Sequence, residues 1–118
     1  MAIVHRVLGT LGVAYRKSRD YENAVKAFRE SLDHRICILG WRHRNTLEAL
    51  SALTDCYKEM MDSPTDELRA EIREYVRDAT NSLRRECGEY ITDSKNVNIE
   101  ACLNEVKALS EVLDQSSN

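Results

Sequence analysis

Aromatic residues are scarce in this 118-residue chain, at 6% of the total, with one Trp, one Phe and five Tyr. A core with so few rings has to be filled mainly by Leu, Val, Ile and Ala. There is a single proline, Pro64, and there are four glycines. So few turn formers speak against a sheet-rich fold and favour helices joined by short connections. Long hydrophobic runs are missing as well: no stretch approaches the ~20 apolar residues that a membrane-spanning helix requires. The four cysteines, Cys37, Cys56, Cys87 and Cys102, include no C-x2-C pair, which leaves zinc unsupported. Each falls near a predicted apolar helix face, where a thiol behaves as a small hydrophobe. A reduced, cytoplasmic protein is therefore expected rather than a disulfide framework.

What is present is an ordinary globular composition, 31% charged and 42% hydrophobic with a net charge of −3, in a length that suits one core. The charge is unevenly spread. Residues up to Met61 hold ten Lys and Arg against seven Asp and Glu, and the remainder hold seven against thirteen. Neither excess is large enough to argue for nucleic acid. Arg6, Arg16, Lys17 and Arg19 all precede the first acid, Asp20, a pattern reminiscent of a mitochondrial presequence. The same stretch carries a strong helical pattern, so folded structure is expected there.

Apolar residues recur at intervals of three and four along most of the chain. Ile3, Val4, Val7, Leu8, Leu11, Ala14 and Tyr15 predict a first helix over residues 2–18. Asp20 can cap a second over 21–39, with Ala24, Val25, Phe28, Leu32, Ile36 and Leu39 inward and Gly40 as a left-handed stop. A third, over 46–61, begins at Asn45 or Thr46 as cap and buries Leu47, Leu50, Leu53, Cys56, Tyr57 and Met60. After the break at residues 62–66, Thr65 or Asp66 can cap a fourth over 66–87, with Leu68, Ile72, Tyr75, Val76, Ala79 and Leu83 inward and Gly88 as its stop. A polar loop follows over about 89–98. A fifth helix from about Val97 or Ile99 to Leu113 presents Ile99, Cys102, Leu103, Val106, Leu109, Val112 and Leu113 on one side, and Gln115–Asn118 is expected to fray.

Leu8, Leu11, Gly12, Tyr15, Ala24 and Phe28 sit at spacings that rebuild most of the motif W-x2-L-G-x2-Y…A-x3-F, with Leu8 in place of Trp. The segment Leu8–Leu32 thus resembles a tetratricopeptide repeat (TPR). Leu50, Leu53 and Tyr57 return 42 positions after Leu8, Leu11 and Tyr15, with Thr54 where a Gly or Ala is usual. Between them, Leu39-Gly40-Trp41-Arg42-His43-Arg44-Asn45-Thr46 is similar to the L-G-x-x-H-P-x-T junction of 42-residue repeats of the kinesin light chain type, Arg44 replacing Pro. The resemblance implies an all-α fold of TPR-like helical hairpins in an α-α superhelix, about five helices in all. Residues 1–88 would form two hairpins, the second degenerate, 89–98 a loop, and 99–118 a C-terminal capping helix and tail. In this family the small residue at Gly12 lets the second helix pack closely, offsetting its cost of about 1 kcal/mol within a helix. Tyr15 and Tyr57 would occupy equivalent slots.

The family's ligands lie on the face lined by the first helix of each pair. Carried over, that face comprises Arg6, Gly9, Thr10, Val13, Arg16 and Lys17, then Glu48, Ser51, Ala52, Asp55, Lys58 and Glu59. The resemblance implies a protein–protein adaptor or scaffold, or the terminal module of a longer array, that holds a partner polypeptide there. The Asn residues needed to clamp a terminal carboxylate are absent, and Glu48 and Asp55 would repel one, so chaperone tails are not expected. The groove instead has a basic and an acidic end, suited to a segment of mixed charge. No enzyme is expected: His5, His34 and His43 have no Ser or Cys partner at motif spacing, and no phosphate loop or metalloprotease motif occurs. No cofactor, metal or membrane partner is implied. One alternative is a structural, self-associating subunit that packs the Ile3/Val7/Val13 side against an assembly. Another is an RNA contact through Trp41, Arg42 and Arg44. The charges along Arg69, Arg73 and Arg77 are expected to be self-paired with Asp66 and Glu74.

Overall fold

A computed structural model describes residues 2–87 and 97–116, with side chains over 6–86 and 99–115. Among the described residues the fold is all-α: α1 (Ala2–Lys17), α2 (Tyr21–Leu39), α3 (Arg44–Met60), α4 (Asp66–Cys87) and α5 (Val97–Ser116), with no strand. The expected stop at Gly88 and the loop up to residue 96 lie outside the described residues. The chain divides into two compact units, Met1–Cys56 and Tyr57–Asn118, with the boundary inside α3.

In the first unit α1 packs on α2. Their junction is set by backbone geometry. The N–H of Asp20 donates to the Tyr15 carbonyl (2.9 Å) and that of Arg19 to the Arg16 carbonyl (3.0 Å). This is the Schellman arrangement, which needs a left-handed residue between the two helices. Arg19 supplies it at φ 63°, without the freedom of glycine. Asp20 then caps α2, its carboxylate accepting from the Asn23 N–H. Close approach follows at Gly12: a Cβ there would lie 2.5 to 2.9 Å from three carbons of the Phe28 ring. Gly9, by contrast, has ordinary van der Waals room. Ala24, Val25, Phe28 and Leu32 are buried as expected, together with Ala27 and Ser31, which widen the buried face of α2. Ile36 and Leu39 are only half-buried, and Cys37 is exposed.

The α2–α3 connection departs from the expected form in two ways. Gly40 has the positive φ foreseen for it, but its ψ of 167° lies outside the left-handed helical basin, in a region nearly restricted to glycine. α3 begins at Arg44, two residues early, because His43 rather than Asn45 or Thr46 caps it. The His43 Nδ1 accepts from the Asn45 N–H (3.0 Å) and its carbonyl from Leu47 (3.1 Å). Thr46 is instead fully buried, its hydroxyl without a hydrogen-bond partner. Leu47, Leu50, Leu53, Cys56 and Tyr57 are buried, whereas Met61 takes the place inside that was expected for Met60. Thr54, also buried, donates its hydroxyl to the Leu50 carbonyl (2.9 Å), which satisfies it within its own helix.

In the second unit α4 packs on α5, the partner expected to cap it. Thr65 caps α4 by accepting from the Leu68 N–H (3.1 Å). Ile72, Tyr75, Ala79 and Leu83 meet a core completed by Ile99, Cys102, Val106, Leu109 and Leu113, while Val112 stays exposed. Tyr57 is buried here: its ring lies 5.0 Å from that of Tyr75, and its hydroxyl donates to the Glu71 carboxylate (2.9 Å). Tyr15, expected in an equivalent slot, is only half-buried. Asp66 pairs with Arg69 as anticipated (2.9 Å), but Arg77 meets its neighbour Asp78 (3.7 Å) and not Glu74.

Replacing Gly12 by Ala should lower stability by about 1–2 kcal/mol, the overpacking penalty exceeding the gain in helix propensity. Gly9→Ala should leave it unchanged or raise it. Urea denaturation of the two variants side by side checks this, and equal midpoints would remove the close approach from the account. Arg19→Gly should stabilise by about 0.5–1 kcal/mol, because it relieves a left-handed non-glycine residue.

Candidate functional site

The first unit contains an open cleft of about 450 Å³ between its three helices. α1 contributes Arg6, Gly9, Thr10 and Val13 to one wall, and α3 contributes Glu48, Ala49 and Ala52 to the other. Phe28, Ser31 and Arg35 form the floor from α2. The walls follow from helical spacing. Residues 6, 9, 10 and 13 share one face of α1, and 48, 49 and 52 share one face of α3. The volume falls in the range of sites that take small ligands or single side chains of a partner.

Arg35 joins the three elements. Rooted on α2, it donates through Nη1 to the Asn45 carbonyl in the first turn of α3. Its Nη2 lies close enough to α1 that a Cβ on Gly9 would be 3.5 Å away. Burial pushes the Arg35 guanidinium below its ordinary pKa; Glu48 opposes that shift, and Arg6 adds to it by like-charge repulsion. The cleft is therefore polarised, with Arg6 and Arg35 cationic and Glu48 anionic on the far wall. Glu48 also meets Arg44 at 3.4 Å, a solvated i,i+4 pair that contributes about 0.3–0.5 kcal/mol. Thr10 donates its hydroxyl to the Arg6 carbonyl (3.0 Å), back into its own helix.

Of the residues expected to bind a partner, the cleft gathers Arg6, Thr10, Val13 and Glu48, with Gly9 and Ala52 beside them. Arg16 and Lys17 lie at the C-terminal end of α1, half-buried and exposed respectively. Ser51 and Asp55 are half-buried on α3, and Glu59 falls beyond Cys56 in the second unit. The floor was not anticipated. Phe28 and Ser31 sit on the core face of the second helix, and Arg35 lies about one turn before its end. Their spacing of three and four residues nonetheless puts them on one stripe, and that was the available signal. At the junction, Trp41 is half-buried while Arg42, His43 and Arg44 are exposed.

No group of His, Cys, Asp and Glu among the described residues could hold a metal ion. No described helix is long and apolar enough to cross a membrane. Compared with family models, with curated proteins and with solved structures, the chain gives no match in any of the three.

Substituting Arg35 by Met keeps the aliphatic stem but removes the charged hydrogen bond to Asn45. The expected loss is about 1–2 kcal/mol, seen as a lower denaturation midpoint. An unchanged midpoint would mean that water replaces the guanidinium at no cost.

Proposed function

We propose that this protein is a TPR-like interaction module, an adaptor or scaffold that seats a segment of a partner polypeptide in the cleft between α1, α2 and α3. The observation that carries the reading is the convergence of Arg6, Thr10, Val13 and Glu48, residues of two non-adjacent helices, on one open cleft. The 42-residue return of Leu50, Leu53 and Tyr57 and the tight seat of Gly12 against Phe28 support the repeat resemblance.

The cleft chemistry defines the segment. Val13, Phe28, Ala49 and Ala52 offer apolar surface for one aliphatic or aromatic side chain. Arg6 and Arg35 accept an acidic neighbour, and Glu48 a basic one. Charges placed this way select register and orientation more than they add affinity. A contact of this size is below that of a stable protein–protein interface, so a transient, exchangeable partner fits best. A reducing, cytoplasmic setting suits Cys37, Cys56 and Cys102, none of which is disulfide-bonded.

Selection of a displayed random peptide library on the full chain tests the proposal. Binders should carry both signs of charge around an apolar residue. Their affinity should fall about tenfold or more, or 1.4 kcal/mol, when Ala52→Phe fills the cleft. Helicity by circular dichroism should not change. Selected peptides that bind Ala52→Phe as well as the parent would refute occupation of the cleft.

A further inference from the structure

α1 has a second face. Val7 and Leu11 are 51% and 43% exposed, and Ala14 is exposed beside them. Their spacing of four and three residues aligns them into one apolar stripe. Leu8 and Tyr15, both half-buried, extend it toward α2. The stripe is separate from the cleft: at 100° per residue, Leu11 points about 160° away from Val13. Val7 and Val13 therefore do not share a side, contrary to the expected Ile3/Val7/Val13 surface, and the Ile3 side chain lies outside the described residues.

Val7 and Leu11, one turn apart, form a contiguous apolar patch, unlike the singly exposed Ile38, and contiguity is what suits a surface for docking. Charge says what covers it. The α1 sequence, AIVHRVLGTLGVAYRK, contains no acid. Arg6 and Lys17 are exposed along one edge of the stripe, whereas Arg16, half-buried, lies on the opposite side of the helix, toward α2. An antiparallel pairing of two copies through this face would set Arg6 against Lys17 of the second copy. That like-charge contact disfavours self-association. A helix whose own apolar stripe is edged with Asp or Glu meets both requirements at once. We infer that the outer face of α1 docks an amphipathic, acid-edged helix of a partner protein, independently of the cleft.

The test is a displayed library of amphipathic helices with a fixed Leu/Ala stripe and flanks randomised among Glu, Gln and Lys, selected on the full chain. Glu-flanked sequences should be enriched. Their affinity should drop about tenfold or more for Leu11→Glu and remain unchanged for Ala52→Phe, which blocks only the cleft. Lys17→Glu, a charge change at an exposed site that leaves the stripe intact, should weaken Glu-flanked helices and strengthen Lys-flanked ones. Circular dichroism verifies that both variants fold. Enrichment without preference for Glu, or binding indifferent to both Leu11→Glu and Lys17→Glu, would overturn the inference. So would sedimentation that shows a parent dimer abolished by Leu11→Glu, because the face would then belong to a second copy.

Discussion

The Phe28 ring fills the space that any side chain on Gly12 would need, and the rest of the first unit is arranged around that contact. With no Cβ in the way, α1 comes down onto α2 at the cost of one poor helix former. Arg35, two turns along the same stripe of α2, then reaches both the Gly9 turn of α1 and the first turn of α3. A larger residue at 12 would move α1 outward, and the cleft walls would lose their common floor. Thr54, in the corresponding place on α3, is β-branched and bonds back to Leu50. It cannot reproduce the approach that Gly12 permits.

Helix ends in this chain are handled by local polar chemistry rather than by proline. Asp20, His43 and Thr65 each supply a side-chain acceptor to an N–H of the first turn. That is the ordinary remedy for donors with no intrahelical partner. At the C-terminal ends the demands differ. Arg19 tolerates a left-handed φ to complete the Schellman bonds, whereas Gly40 occupies a conformation that a side chain would scarcely allow. The short connections that result hold α1, α2 and the start of α3 near one another, and that proximity is what makes a cleft.

α1 consequently works on two fronts. Its inner wall, Arg6 to Val13, joins Glu48 and Ala52 in a polarised cleft suited to a short segment of mixed charge. Its outer stripe, Val7, Leu11 and Ala14, is apolar with a basic edge. Arg6 and Lys17 border that stripe, and Arg6 also enters the cleft, so the basic character of α1 influences both surfaces. In the proposed adaptor role, two partners would engage this one helix through different sides.

Helix number, the ends of α4 and most of the core could be read from spacing alone, because a period near 3.6 has one structural meaning when turn formers are rare. The seat for Gly12 was also legible, through the repeat resemblance. Other features depended on information that a linear pattern lacks. Periodicity marks Leu11 and Phe28 alike as inward, yet only packing decides that one is covered and the other is not. Capping by His43 turns on the placement of a ring nitrogen, and Gly40 on a ψ angle that no residue type specifies. The floor of the cleft needed Phe28, Ser31 and Arg35 to face a gap between two other helices. The sequence by itself determined which residues form helices and which stripes are apolar, since these are local properties of the chain. Only the tertiary structure decided which stripes are covered and which line a cavity, because burial is a relation between segments far apart in sequence.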